Sequence, residues 1–144
     1  MQWYGVFGND VYNYTKTFLT SGQSQRNVQA GLFDDAWSES NPDATIPRLT
    51  NLDPNRNFRR SSEYFVEDGS FLRLKNIQLG YNFAVSFASQ LRVYVSGQNL
   101  LTFTNYTGFD PEVAAGGGII NGLGIDFGQY PLARTFLMGL NMSF

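Results

Sequence analysis

Two carboxylate pairs, Asp34-Asp35 and Asp110-Pro111-Glu112, are the first residues in this sequence whose types invite chemistry. Glycosidases use two carboxylates, but these face each other across a cleft at about 5–10 Å. Neighbours along a loop do not supply that geometry, so neither pair predicts catalysis. Asp53-Pro54-Asn55-Arg56-Asn57 spaces oxygen donors as a calcium loop does. It lacks the glycine at the sixth position and the glutamate at the twelfth that an EF-hand requires, and reads as a polar loop. Gly116-Gly117-Gly118 has no Gly-Lys-Ser/Thr and no amphipathic helix after it, so it is no phosphate cradle and reads as a flexible loop. The sequence contains no His and no Cys. That removes the commonest general base, the commonest metal ligand, and any thiolate or disulfide. The expectation is a non-enzyme with no catalytic, metal-ligating or cofactor-binding residues.

What remains is aromatic and polar chemistry suited to binding. Trp37, Tyr106, Phe109 and Tyr130 fall in or beside long polar stretches, where ring faces stack on sugars. Aromatic girdles at the interfaces of a membrane barrel are the alternative use of the same residues. Net charge is −2 and the Lys and Arg residues are scattered. Nucleic acid is therefore not an expected partner, since its affinity comes mostly from neutralised phosphates.

The elements that would position these residues are strands. Aromatics make up 16% of the chain and charged residues only 15%, against roughly 25% in an average domain, and there are 15 glycines. Such a composition favours β structure over a helical bundle. Residues 1–20 read as a strand end and a short helix over Tyr14–Leu19, with Asn9 or Asp10 as its cap. Residues 21–62 are polar and interrupted by Pro42, Pro47 and Pro54, too long a stretch for an ordinary loop of ~4–6 residues. Residues 63–83 become a strand in which Ile77, Leu79, Tyr81 and Phe83 alternate with polar or small residues. Leu72 and Leu74 lie in the opposite phase, which predicts a bulge or a change of environment near Asn76. Residues 84–90 are a short connection, 91–104 a second strand, 105–133 a long Gly-rich loop and 134–144 a final strand.

In that final run Phe136, Met138, Leu140, Met142 and Phe144 alternate with smaller or more polar residues. About this length of tilted strand crosses a bilayer, with one face to lipid and one to the lumen. A half-buried strand of a soluble sandwich has the same period. No run of about 18 apolar residues predicts a transmembrane helix, and no signal peptide is visible. One short and two long connections match the periplasmic turns and extracellular loops of outer-membrane barrels.

The stretches VEDGSFLRLKNIQLGY (66–81), LRVYVSGQNLLTFTNYTGFDPEV (91–113) and GIDFGQYPLARTFLMGLNMSF (124–144) resemble the terminal strands of SusC/RagA-type TonB-dependent outer-membrane transporters. GVFGNDVYNYTKTFL (5–19) and NPDATIPRLT (41–50) resemble the loop region that precedes them. The resemblance implies an all-β fold: the last three or four antiparallel strands of a large transmembrane β-barrel with long extracellular loops. It implies import of oligosaccharides or other large nutrients such as peptides, a SusD-type lipoprotein partner, the TonB system, and location in the outer membrane. It also implies that the Asp110-Pro111-Glu112 segment is structural, and that Phe144 ends a signal read by the barrel-assembly machinery. Plug and TonB-contacting segments are missing from this stretch, and so few strands cannot close a barrel. The competing expectation is a soluble β-rich carbohydrate-binding module using the loop aromatics.

Overall fold

Alternation over long runs builds long strands, and a computed structural model, which describes residues 1–21, 27–113 and 124–144, shows where they pair. β1 (Gln2–Val6), β4 (Phe71–Phe83), β5 (Gln90–Thr104) and β7 (Thr135–Ser143) form one antiparallel sheet in the order β1-β4-β5-β7. Its short connection, 84–89, lies at one end, whereas residues 7–70 and 105–134 leave and re-enter at the other. A second, three-stranded sheet in the order β3-β2-β6 stands at the long-loop end. It comprises β2 (Asp10–Asn13), β3 (Val66–Asp68) and β6 (Ile125–Asp126), with β2 and β6 parallel, so the strands are not all antiparallel.

The register explains the alternation. Ile77, Gly97 and Phe136 lie abreast, followed by Leu79–Val95–Met138, Tyr81–Val93–Leu140 and Phe83–Leu91–Met142. Residues abreast in a ladder share a face, so these rows make a continuous apolar surface three strands wide. The intervening rows, Gln78–Ser96–Leu137, Gly80–Tyr94–Gly139 and Asn82–Arg92–Asn141, make a mainly polar opposite face. Leu79 is 80% exposed and Met138 81%, so no layer of the described residues covers the apolar face.

Nearer the loops the pairing shifts: Asn76 faces Gln98 but Leu74 faces Leu101, which sets two residues of β5, Asn99 and Leu100, against one of β4, Lys75. Asn99 takes up the extra residue at φ +53, a left-handed conformation that Asn tolerates. Its side-chain amide also donates to Ala133 O at 3.2 Å. Beyond this bulge β4 turns Phe71 and Arg73 inward, both buried, while Trp3 stacks with Phe103 at 6.3 Å on the other side. The change of phase between Leu74 and Ile77 is this irregularity.

On the polar face the Tyr94 ring covers Gly139. A Cβ at Gly139 would sit 2.3 Å from the Tyr94 ring, and one at Gly80 3.0 Å from Arg92 Nε. Gly139→Val is therefore expected to cost about 1–3 kcal/mol by overpacking. Denaturant unfolding of that variant alongside Gly139→Val/Tyr94→Ala checks this, because removing the ring should return part of the loss.

The remaining described segments form a loop layer with its own core. Val11, Leu32, Phe58, Phe65, Phe71 and Tyr106 are buried there, each side chain of Val or Phe size contributing about 1.5–3 kcal/mol. α1 (Tyr14–Leu19) is capped by Asn13, whose Oδ1 accepts from Lys16 N at 3.0 Å, not by Asn9 or Asp10. Asp10 instead opens β2. Residues 21–62 carry a short α2 (Leu32–Asp35) and bridges Ala36–Ile46 and Ser38–Asn41. Residues 63–83 are two strands, because a 3-10 turn over Glu63–Phe65 and a break at Gly69-Ser70 send β3 to the second sheet. A Cβ at Gly69 would come within 2.4 Å of Val11, so only glycine allows that approach.

Candidate functional site

Charged residues inside apolar strands need partners, and the loop layer holds four carboxylates in three clusters: Asp110 with Glu112, Glu67, and Asp126. In β4, Arg73 and Lys75 point to the same side. Arg73 Nη1 donates to Glu112 Oε2 at 2.9 Å, Nη2 donates to Asp110 Oδ1, and Nε donates to Thr102 Oγ1 at 3.0 Å. Lys75 Nζ donates to Glu112 Oε1 at 2.8 Å and lies 4.6 Å from the Tyr4 ring centre. Asp110 also accepts the amides of Glu112 and Leu132, at 2.9 and 3.1 Å. Asp110-Pro111-Glu112 thus ties both ends of the long loop to β4, whose Arg73 also reaches Thr102 of β5.

In the second cluster, Glu67 of β3 accepts Thr107 Oγ1 at 2.7 Å, Thr107 N at 3.0 Å and Lys16 Nζ at 3.0 Å. Burial pushes its pKa up, but the Thr107 hydrogen bonds and the Lys16 charge outweigh this, leaving it below the ordinary glutamate value of 4.5. A depressed pKa means stability that is present above pH 4.5 and lost as pH falls through the folded value. Acidification from pH 6 to pH 3 is therefore expected to loosen the junction of α1, β3 and residues 105–109. Amide hydrogen exchange at Thr107 should rise over that interval, and Glu67→Gln should flatten the response.

In the third, Asp126 is fully buried. Its Oδ2 accepts Tyr106 Oη at 2.7 Å and its Oδ1 the amides of Gly128 and Gln129 at 2.8 and 3.0 Å. Burial and the Asp126 carboxylate raise the Tyr106 pKa far above that of a free phenol, so it stays a donor.

Tyr106 is therefore not presented to a ligand as expected from its loop position; its ring is 6% exposed and its hydroxyl is spent on Asp126. Trp37, Phe109 and Tyr130 are exposed. Trp37 borders a cavity of about 550 Å³ with Phe33, Glu39 and Arg48, and Phe109 one of about 270 Å³ with Leu19 and Gln29. The four aromatics do not converge on one site. Phe136, Met138, Leu140 and Met142 share the exposed apolar face, and Phe144 follows β7, also exposed. Asp53 directs its carboxylate at the amides of Asn57 and Phe58, 2.8 and 3.2 Å away, as the cap of its own turn. Asp34 and Asp35 form the end of α2. Gly116-Gly117-Gly118 lies outside the described residues. Arg73, Lys75, Glu67, Thr107 and Asp126 were not singled out by sequence reasoning, although two cations within the apolar run FLRLK were a visible signal.

No family model matches the chain. Among curated proteins, it is 42% identical over 146 residues to TonB-dependent receptor P3 of Formosa agariphila, covering 95% of this chain and 14% of that protein. It is 42% identical over 89 residues to TonB-dependent receptor SusC of Bacteroides thetaiotaomicron, covering 58% of this chain and 8% of that one. Among solved structures, the RagAB peptide transporter superposes with a TM-score of 0.78 at 30% identity, covering 99% of this chain and 15% of that one. The same importer in an open-open state gives 0.73 at 28%. The chain thus spans about a seventh of the length of the curated relatives it matches along nearly its whole extent. With its antiparallel wall, apolar outer rows and loop layer, it belongs to the SusC/RagA-type TonB-dependent receptors, as a segment of their β-barrel.

Proposed function

We propose that this chain forms part of the wall and the extracellular loop layer of an outer-membrane importer of oligosaccharides or peptides, energised through TonB and partnered by a SusD-type lipoprotein. The observation that carries the reading is the pair of faces on β4, β5 and β7: four apolar rows on one side and mainly polar rows on the other. An apolar face left uncovered in water is costly, about 25 cal/mol for each Å², whereas lipid makes it favourable. Phe136, Met138, Leu140, Met142 and Phe144 then meet acyl chains, and Tyr94, Arg92 and Asn141 look into the lumen. β1 and β7 each pair on one side only among the described residues. Further strands must satisfy those edges in lipid, where an unpaired backbone group costs several kcal/mol. The relatives are named as receptors, and Glu67, Asp110, Glu112 and Asp126 act as structural clamps, which supports a role in passage and binding and not in bond-making.

The test uses the full-length receptor in vesicles containing brominated lipid. Trp placed at Met138 should be quenched, and Trp placed at Leu137 should not. Equal quenching at both, or at neither, defeats the reading and favours a soluble module. Heat-modifiable migration of the same protein in outer-membrane fractions should accompany the quenching.

A further inference from the structure

The segment Asn55-Arg56-Asn57-Phe58-Arg59-Arg60 concentrates three arginines in a chain whose net charge is negative. Its conformation is unusual: Asp53 and Arg56 both hold positive φ, +42 and +55. Such left-handed non-glycine residues cost energy and persist only when their surroundings hold them. Here Asp53 does so by accepting two backbone amides of the turn, and Phe58 is buried as its anchor. Arg59 and Arg60 are thereby set, exposed, beside a cavity of about 370 Å³. Tyr12, Tyr14, Phe18 and Phe58 form its aromatic lining, and Thr17, Ser21 and Ser61 its hydroxyls. Tyr14 and Phe18 meet edge to face at 5.0 Å, and each is 37% exposed.

Among the described residues, the ion pairs take up Lys16, Arg73 and Lys75, and neither Arg59 nor Arg60 has a carboxylate partner. Guanidinium forks match carboxylate and sulfate geometry, and aromatic faces take up sugar rings. The volume falls in the usual ~300–1,000 Å³ range of small-molecule sites. We infer that this cavity binds an anionic saccharide, with Arg59 and Arg60 on its carboxylate or sulfate groups and Tyr14 and Phe18 against its ring. Hydroxyl-bearing side chains around aromatic walls favour a sugar over an acidic peptide. The inference deepens the proposed import function and rests on it, since the cavity then opens on the extracellular side.

The test is binding to the full-length receptor purified from outer membranes, with heat-modifiable migration checked in the same preparation. The probes are a short polygalacturonate, a sulfated dextran oligomer, a neutral dextran oligomer and a polyglutamate peptide. At least one anionic sugar should bind at least about tenfold more tightly than the neutral one, the effect of roughly one charge-assisted contact. The preference should shrink with added salt and vanish in Arg59→Gln/Arg60→Gln, while Arg48→Gln, at a different cavity, keeps it. Which anionic sugar wins separates carboxylate from sulfate recognition. Equal binding of neutral and anionic sugars, no binding of either anionic sugar, an unaltered preference in the double variant, or a preference for polyglutamate alone overturns the inference. A receptor absent from the outer membrane overturns the import reading instead.

Discussion

Replacing Arg73 with alanine is expected to destabilise the barrel end and its loop layer by about 3–5 kcal/mol, the usual effect of removing one member of a buried ion cluster. The size follows from what is stranded. Arg73 is 3% exposed and Asp110 6%, so the change leaves Asp110 nearly dry and Glu112 with only Lys75. Thr102 loses its donor as well. Asp110 also accepts Glu112 N and Leu132 N, so its displacement frees both ends of the 105–134 connection. Arg73→Lys should rescue little, since one ammonium cannot reproduce a fork serving Glu112, Asp110 and Thr102. Arg73→Met combined with Asp110→Asn and Glu112→Gln should recover part of the loss, because it removes the orphaned charges. Urea unfolding of the full-length receptor, together with proteolysis in the long loop, reads both effects. Stability within about 1 kcal/mol of wild type for Arg73→Ala would show that the cluster is solvated and carries no clamp.

That cluster also shows where reading a sequence stops. The sheet was legible because a barrel wall writes a period of two into each strand, and Ile77–Phe83, Leu91–Val95 and Phe136–Met142 keep one phase for whole runs. The bulge was legible from the phase conflict between Leu74 and Ile77. By contrast, Arg73 meets Asp110 across 37 positions and Glu67 meets Thr107 across 40. Those pairings depend on how the loops fold back, which no local period records. The same holds for Tyr106: its loop position and type suit a ligand platform, but its burial depends on Asp126, 20 residues on. β3 and β6 were missed because three and two residues are too short to show alternation. Asn13 does not stand out in the sequence as a helix cap, because Asn9 and Asp10 lie in a more obvious turn. Strand identity is thus a property of the strand, while a clamp belongs to two distant segments at once.

The second large effect separates the two faces of β7. Met138→Arg should cost about 2–4 kcal/mol, as arginine near the middle of the bilayer does on the lipid side of a barrel strand. Leu137→Arg, one residue away on the face shared with Ser96 and Gln78, should cost little. Met142→Arg should fall between them, since Met142 pairs with Leu91 next to the short connection, where a long side chain can reach the interface. The gradient is the informative part. In water, an arginine at any exposed position of an uncovered sheet would cost nearly nothing, and in a packed protein core the cost would follow burial and not depth. A series along Phe136, Met138, Leu140 and Met142, measured by urea titration of folding into vesicles of two thicknesses, should peak near the centre and change with bilayer thickness. A flat series, or one indifferent to thickness, would place that face against protein, and the barrel reading of this wall would fall with it.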